Sequence, residues 1–131
     1  DAYGDLLVGA HAADGYRGKV YLHPGSAAGV RSIAIAASVG VSPFDTLGKV
    51  VAPAGDVDQD GLADALVTSE GHDGGRGRVT LLTGNRSAGF NPAQALNGAT
   101  AGANFGSALA ALGDVDGDGY DDVAIGSAMY N

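Results

Sequence analysis

Two acidic stretches of nine residues constrain this chain more than any other feature. Loop one is residues 56–64, Asp-Val-Asp-Gln-Asp-Gly-Leu-Ala-Asp, and loop two is residues 114–122, Asp-Val-Asp-Gly-Asp-Gly-Tyr-Asp-Asp. Each has carboxylates at positions one, three, five and nine, and a glycine at position six. Because like charges a few ångströms apart repel one another, such a stretch is costly unless a positive partner is present.

A hard cation reverses that balance. Calcium takes about six to eight oxygen ligands at about 2.3–2.6 Å in a tolerant geometry, whereas magnesium demands a near-ideal octahedron and suits these loops less well. The glycine at position six allows a sharp turn, and the carbonyl at position seven would then point inward as a fifth ligand. A polar hairpin turn is the alternative, but the same pattern occurs twice, which favours calcium.

The loops differ from an EF-hand, which needs a bidentate Glu at position twelve and helices on both sides. Position twelve is Val67 in loop one and Ile125 in loop two. The flanking segments are rich in Val, Leu and Ala and are strand-like. The loops are therefore predicted to join antiparallel strands.

Composition narrows the function classes. The chain has 131 residues with 23 glycines, no cysteine and a formal charge of −8. Strong acidity argues against nucleic acid or an anionic membrane surface as a partner, and no apolar run approaches the roughly 20 residues that span a bilayer. A signal-peptide pattern and an initiator Met are both absent, so we expect a processed, excised or incompletely represented chain.

An internal repeat organises the chain. Asp56 and Asp114 lie 58 residues apart, and the start fits the same repeat, with Asp1 and Asp5 aligned to the second half of a third acidic loop. In that alignment Asp1 is at position five and Asp5 at position nine, so the first four positions of the loop are missing. The loop has Ala2 at the glycine position and is not counted as a site. Each unit is predicted to contain four short strands. The predicted strands are 5–10, 18–23, 31–37, 46–53, 63–69, 76–83, 93–97, 106–112 and 122–128.

The last unit carries a specific family resemblance. Phe105-Gly106, followed by loop two and by Val-Ala-Ile-Gly-Ser-Ala at 123–128, resembles an FG-GAP repeat. This repeat is the blade unit of the integrin α-subunit propeller and of many secreted bacterial proteins. In the middle unit, Phe44-Asp45 is aligned with Phe105-Gly106, so that Asp45 replaces the glycine of the motif, and 68–70 replaces its second half.

The resemblance implies an all-β fold of β-propeller blades, each of four antiparallel strands. It also places Ca²⁺ in the hairpin between the first and second strands of a blade, which gives two sites. The implied ligands are Asp56, Asp58, Asp60, Leu62 (carbonyl) and Asp64 in loop one, and Asp114, Asp116, Asp118, Tyr120 (carbonyl) and Asp122 in loop two. Asp121, at position eight, is predicted to point to solvent.

The number of blades sets a further expectation. The chain is predicted to be one propeller segment of slightly over two blades, a partial blade at about 1–40, a complete one at about 41–100 and a partial one at about 101–131. Closed propellers need about four to eight blades. We therefore expect completion either by further blades of a longer protein or by self-association of copies into a ring.

Three functions remain open at this point. The favoured one is an extracellular or cell-surface binding and adhesion module for a protein or glycan ligand, in which calcium is structural. The second is a self-assembling repeat protein that forms rings or fibres. The third is a lectin-like or accessory domain of a secreted hydrolase, with Tyr16, Tyr21, Phe90 and Tyr120 as candidate sugar contacts. No catalytic motif is present, and the three histidines have no zinc-ligand spacing, so the chain is not expected to be an enzyme.

Overall fold

The computed structural model describes residues 3–87 and 89–129. Asp1 and Ala2, which the repeat alignment placed in a third acidic loop, lie outside the described residues. Within the described part, short turns and nine strands follow one another. The strands are β1 (Leu6–Ala10), β2 (Lys19–His23), β3 (Ile35–Val39), β4 (Leu47–Gly55), β5 (Asp64–Ser69), β6 (Arg78–Asn85), β7 (Gly89–Asn97), β8 (Phe105–Gly113) and β9 (Asp122–Ser127).

The strands form three antiparallel sheets, as expected for propeller blades. The first sheet has the order β1-β2-β3, the middle sheet β4-β5-β6-β7 and the last sheet β8-β9. The middle sheet is a complete blade of four strands. β1 and β9 correspond to its second strand, and β8 corresponds to its first. The expected all-β fold class is confirmed.

Two strands begin four residues away from their predicted starts, whereas the others begin within two residues of them. β3 begins at Ile35, four residues after the predicted start, and β7 begins at Gly89, four residues before it. The early start of β7 includes Pro92, a residue that usually excludes a strand. Pro92 pairs with Leu82 beside a register shift, and β7 is the outer strand of its sheet, where proline is tolerated.

The structural counterpart of Phe105-Gly106 is Leu47-Gly48, so the sequence alignment with Phe44-Asp45 was wrong. Leu47 pairs with Ser69 as Phe105 pairs with Ser127. Gly48 and Gly106 both have positive φ, +85° and +88°, and a Cβ on either would press against the preceding sheet. The middle unit therefore keeps the glycine of the motif, and only the aromatic residue before it is replaced.

The core lies between the sheets. One buried cluster joins the first and middle sheets, and it consists of Val20, Leu47, Ala65, Val67 and Leu82. A second joins the middle and last sheets, and it consists of Ala54, Leu66 and Val79, with Phe105 and Leu109 packed against them. β5 is buried at all six residues because its two faces supply opposite clusters. This explains why strands of this chain are apolar on both faces rather than alternating.

Two four-residue turns connect second strands to third strands. α1 (Ala13–Tyr16) follows β1, and α2 (His72–Gly75) follows β5. Neither is a regular helix, since Asp14 and Asp73 have φ of +54° and +48°. Because β5 starts at loop one and ends at α2, these turns and the acidic loops lie at opposite ends of the strands.

Candidate metal centres

Loop one joins β4 to β5, and its own carboxylates wind it into a tight turn. The Asp56 carboxylate accepts hydrogen bonds from the backbone N–H groups of Asp60 (3.1 Å) and Gly61 (2.9 Å). The Asp60 carboxylate accepts one from Leu62 N–H at 2.8 Å. Gly61 has φ of +81°, as the predicted sharp turn requires.

Loop two joins β8 to β9 and repeats this geometry. The Asp114 carboxylate accepts hydrogen bonds from Asp118 N–H (3.1 Å) and Gly119 N–H (2.9 Å), and the Asp118 carboxylate accepts one from Tyr120 N–H at 2.9 Å. Every one of these pairs is the counterpart of a pair in loop one. The two loops therefore share one fold, built by the positions that the sequence repeats.

Three carboxylates of each loop converge. Oxygen atoms of Asp56, Asp58 and Asp64 all lie within 4.8 Å of one another, and the second group has the same spacing. The members of the second group are Asp114, Asp116 and Asp122. Both donor sets consist of oxygen alone and carry like charges, which fits a hard cation such as Ca²⁺ and does not favour zinc or copper.

The remaining predicted ligands are not in these groups. Asp60 and Asp118, at position five, hold Leu62 N–H and Tyr120 N–H instead. Inward-pointing carbonyls of Leu62 and Tyr120 stay a prediction, as do the complete ligand sets. The described geometry thus brings positions one, three and nine together in each loop.

Asp64 is the most enclosed acidic group of loop one, with 2% of its surface exposed. Its carboxylate accepts hydrogen bonds from Val57 N–H and from Gly84 N–H, both at 2.8 Å. Burial raises the pKa of Asp64, and the hydrogen bonds from Gly84 and Val57 oppose that rise. Gly84 lies on β6, so the third strand of the blade helps to position this side chain.

The first sheet holds the corresponding carboxylate in the same way. The Asp5 carboxylate accepts a hydrogen bond from Gly25 N–H, just after β2, at 2.7 Å. Asp5 aligns with Asp64, and β2 corresponds to β6. In both the first and the middle sheet, the carboxylate at position nine therefore accepts a hydrogen bond from a backbone N–H at the end of the third strand.

Asp122 is the corresponding residue of loop two, and it is half-buried. Among the hydrogen bonds between described residues, its carboxylate accepts one, from Val115 N–H at 3.0 Å. That bond matches the Val57–Asp64 bond of loop one. The described part of the last sheet contains β8 and β9, and it offers no counterpart of Gly84.

Asp121 does not point to solvent, so that prediction was wrong. Its Oδ2 accepts a hydrogen bond from Asp56 N–H at 2.9 Å, and its own N–H donates to Asp56 O at 3.4 Å. A residue of loop two is therefore bound to the first ligand residue of loop one. Repeat comparison of the sequence singles out the position, since loop one has Ala63 there, but it does not show that adjacent loops touch.

Gln59 makes a second link between the loops. Its side-chain amide donates a hydrogen bond to Gly119 O. The residue holds a left-handed backbone, with φ of +60°, where loop two has Gly117. The sequence pattern alone indicates no role for Gln59.

Two other polar side chains, His72 and Arg76, each pair with a carboxylate within the chain. His72 Nδ1 lies 3.1 Å from Asp45 Oδ1, and Asp45 also accepts the N–H groups of Val41 and Ser42. Arg76 pairs with Asp73 at 2.8 Å. These groups stabilise the turns before β4 and β6.

The four aromatic residues considered as sugar contacts fall on separate elements. Tyr16 is in α1 and stacks on Phe44, with ring centroids 5.9 Å apart and planes inclined by 17°. Tyr21 is on β2, Phe90 packs against the core and Tyr120 is in loop two. The stacked pair is exposed, with Tyr16 at 52% and Phe44 at 67% exposure, and Tyr120 is exposed separately at 45%.

Comparison with known proteins agrees with the repeat geometry. The model of the family described as FG-GAP-like repeat matches residues 56–125, which include both acidic loops. The part of the chain that the structure describes contains no helical segment that could span a bilayer.

Curated relatives include three integrin α subunits. The chain is 33% identical over 138 residues to integrin alpha-4 of Xenopus laevis, a match that covers 98% of the chain. It is 34% identical over 142 residues to integrin alpha-V of Gallus gallus (97% of the chain) and 32% identical over 147 residues to integrin alpha-IIb of Homo sapiens (100%). The chain spans 13–14% of the length of these relatives.

Proposed function

The chain belongs to the FG-GAP-like repeat family, and on that premise we propose that it is a calcium-stabilised β-propeller segment of an extracellular adhesion protein. Calcium holds the acidic loops, and a separate surface binds a protein or glycan ligand. In this proposal the chain binds rather than catalyses. The likeness to three integrin α subunits supports the adhesion role and the extracellular location.

The convergence of three carboxylates in each loop is the observation that carries the calcium assignment. Two loops with different neighbours adopt the same spacing of oxygen atoms, although mutual repulsion opposes it. Asp64 is held in place from two sides while being almost fully buried. Burying a carboxylate is costly unless it is paired, and a divalent cation supplies the missing positive charge.

A structural role for calcium follows from where the loops lie. Loop one follows the end of β4, whereas Phe44 precedes its start. The stacked pair Tyr16–Phe44 is therefore at the opposite end of the sheets from the acidic loops. A ligand held by the aromatic pair would not touch the metal, so calcium acts by holding the hairpins rigid.

Thermal unfolding with and without calcium tests the metal assignment. At extracellular-type dissociation constants of about 10⁻⁴–10⁻³ M, calcium at ten times Kd adds about 1.4 kcal/mol per site to the free energy of unfolding. EGTA is expected to lower the melting temperature. Asp58→Ala and Asp116→Ala should each remove part of the calcium-dependent shift.

Asp14→Asn is the matched control, because it removes one carboxylate at the other end of the strands and Asn tolerates the left-handed backbone of that position. It should leave the calcium-dependent shift unchanged. Magnesium at the same concentration should stabilise the chain less. A melting curve that does not respond to chelation contradicts the assignment.

The stacked pair is the candidate ligand-binding surface. Tyr16 and Phe44 are both exposed and both left-handed, with φ of +62° and +66°. Large residues rarely adopt this backbone, and such strain concentrates at functional sites. Two exposed aromatic rings in a fixed stack offer a rigid contact for a protein side chain or a sugar ring.

Protein and glycan arrays probed with the chain in calcium test this surface. Tyr16→Asn and Phe44→Asn remove the rings and suit the left-handed backbone, so the fold should be retained. We expect both variants to lose binding and to keep the melting temperature. A glycan as the best ligand would favour the lectin-like alternative, and binding unaffected by either variant would exclude this surface.

Self-association is the second candidate, and the open sheets favour it. β1 is an edge strand with the apolar residues Leu6 and Val8 exposed, and unpaired edges invite further strands. However, three of the described strands correspond to the second strand of a blade, whereas two correspond to each of the first, third and fourth strands. Copies joined end to end would leave one second strand surplus, so further blades of the same protein fit better. Native mass in calcium separates the two: a ring of copies gives a multiple of the chain mass.

A further inference from the structure

We propose that Asp121 is a positioning residue that couples calcium binding at the two loops. The inference rests on the proposed metal sites and goes beyond them, since two separate hairpins would bind calcium independently. Asp121 does not belong to either group of converging carboxylates. Its effect on loop one would act through the backbone of Asp56.

The contact is specific and enclosed. Asp121 Oδ2 accepts the N–H of Asp56 at 2.9 Å, in a partly buried setting. Asp56 begins loop one and its carboxylate holds the N–H groups of Asp60 and Gly61. A shift of the Asp56 backbone therefore displaces the carboxylate around which the rest of loop one is wound.

Gly55 shows how closely Asp121 fits. A Cβ on Gly55 would overlap Asp121 Oδ2 and lie 2.7 Å from its Cγ, whereas a Cβ on Gly113, the counterpart in loop two, meets nothing within 4 Å. Gly55 and Gly113 have similar φ, +83° and +70°. The turn itself requires a glycine at both sites, and only Gly55 also makes room for a side chain of the neighbouring loop.

The sign of the coupling follows from charge. Asp121 brings a carboxylate beside loop one, which already carries four, so docking of the loops is opposed by repulsion. A cation in loop one offsets that repulsion and favours docking. In loop two, Asp121 is adjacent to Asp122, one of the converging carboxylates. A cation that fixes Asp122 also fixes Asp121, and calcium in either loop therefore favours calcium in the other.

Calorimetric titration of the chelator-treated chain with calcium measures this coupling. Asp116→Ala disables loop two, and we expect the remaining Kd of loop one to rise about fivefold, near the lower end of typical allosteric couplings. Asp121→Ala should raise the loop-one Kd by a similar factor. In the double variant, Asp116→Ala should add no further change.

Asp121→Asn distinguishes positioning from a general loss of structure. Asn keeps an oxygen that accepts the Asp56 N–H but carries no charge, so the Kd of loop one should lie between that of Asp121→Ala and that of the unsubstituted chain. Asp14→Asn is the control for the loss of one negative charge away from the loops. Melting temperatures in EGTA identify any variant whose folding is impaired, and Gln59→Ala then tests the second link between the loops.

Terbium luminescence measures the coupling in the reverse direction, as the effect of loop one on metal binding at loop two. Tyr120 lies in loop two, where loop one has Leu62, whereas Tyr3 lines a cavity beside loop one, so the part of the tyrosine-sensitised Tb³⁺ emission that Tyr120→Phe removes reports loop two. Coupling is reciprocal by linkage. Asp58→Ala, which disables loop one, should therefore weaken terbium binding at loop two by the same factor of about five.

The outcomes separate the two proposals. Two calcium ions per chain with dissociation constants that do not respond to Asp121→Ala would overturn the coupling and leave the metal sites in place. No calcium bound by the unsubstituted chain would overturn the proposed function and, with it, the coupling. A fivefold change in both directions, removed by Asp121→Ala, supports both.

Discussion

Loop one and loop two have the same carboxylates and glycine at positions one, three, five, six and nine and share the hydrogen bonds that positions one and five accept, yet they are enclosed to different extents. Asp64 closes loop one with 2% of its surface exposed and is held by Val57 N–H and Gly84 N–H. Asp122 closes loop two while half-buried, and among described residues it is held by Val115 N–H. The difference arises outside the loops, at the end of β6.

The nine-residue motif alone therefore does not determine the complete site, because residues outside it also hold its carboxylates and backbone. Positions one to six determine the winding of the loop, which both loops achieve alone. The closing carboxylate depends on the third strand of its own blade, through Gly84 N–H in the middle sheet and Gly25 N–H in the first. Neighbouring blades add a further contact, through Asp121 and Gln59.

The largest difference is expected when the closing carboxylate is removed. Asp64→Ala leaves two backbone N–H groups without their acceptor at a buried position, which should lower the free energy of unfolding by about 3–5 kcal/mol. Asp122→Ala leaves one such group where water can replace the acceptor, and should cost about 1 kcal/mol.

Chemical denaturation in EGTA measures both losses without a contribution from metal. Equal losses would mean that β6 does not matter for the closing carboxylate, and the proposed difference between the loops would be wrong.

Gly55 and Gly113, which precede loop one and loop two, allow a second comparison between the loops. Gly55→Ala forces a side chain into Asp121 and a left-handed backbone on alanine, for a combined cost of about 2–4 kcal/mol. Gly113→Ala incurs the backbone cost alone, about 1 kcal/mol, because the space beside it is open. Denaturation midpoints of the two variants measure the difference, and a milder effect at Gly55 than at Gly113 would mean that the loops do not dock as described.

The smallest effect is expected at position four. Gln59→Gly relieves a left-handed glutamine and loses one exposed hydrogen bond to Gly119 O, and the two changes should cancel to within about 0.5 kcal/mol. Gly117→Gln, the reverse exchange in loop two, should cost about 1 kcal/mol because strain is added at that backbone. Thermal melts of the two variants check this, and a large loss for Gln59→Gly would show that its link between loops is stronger than an exposed hydrogen bond.

Much of the fold was predictable from the sequence because the repeat carries it. The strand segments, the antiparallel hairpins and the glycine turns all follow from local patterns that recur along the chain. The alignment of Phe44 with Phe105 failed because an aromatic residue is a conspicuous marker, whereas sheet packing places the smaller Leu47 there, beside Gly48. The start of β7 was missed because Gly89 and Pro92 are turn residues in most contexts, although an outer strand accepts them.

The candidate site was predictable in its ligands and not in its neighbours. Regular spacing marks the carboxylates, since alternate residues of a tight loop face one centre. Nothing in the local sequence shows that Gly84 reaches Asp64 or that Asp121 reaches Asp56, because these contacts join segments 20 and 65 residues apart. They depend on the hairpin length and on the way sheets pack, which a single sequence does not specify.

A crystal structure of the chain grown in millimolar CaCl₂ tests most directly whether both acidic loops hold calcium. We predict anomalous density for one ion within each group of converging carboxylates, with oxygen atoms at about 2.3–2.6 Å. Asp60 and the carbonyl of Leu62 should complete the coordination shell in loop one, and Asp118 and the carbonyl of Tyr120 should complete that in loop two. Both loops free of anomalous density, with their carboxylates turned apart, would contradict this prediction.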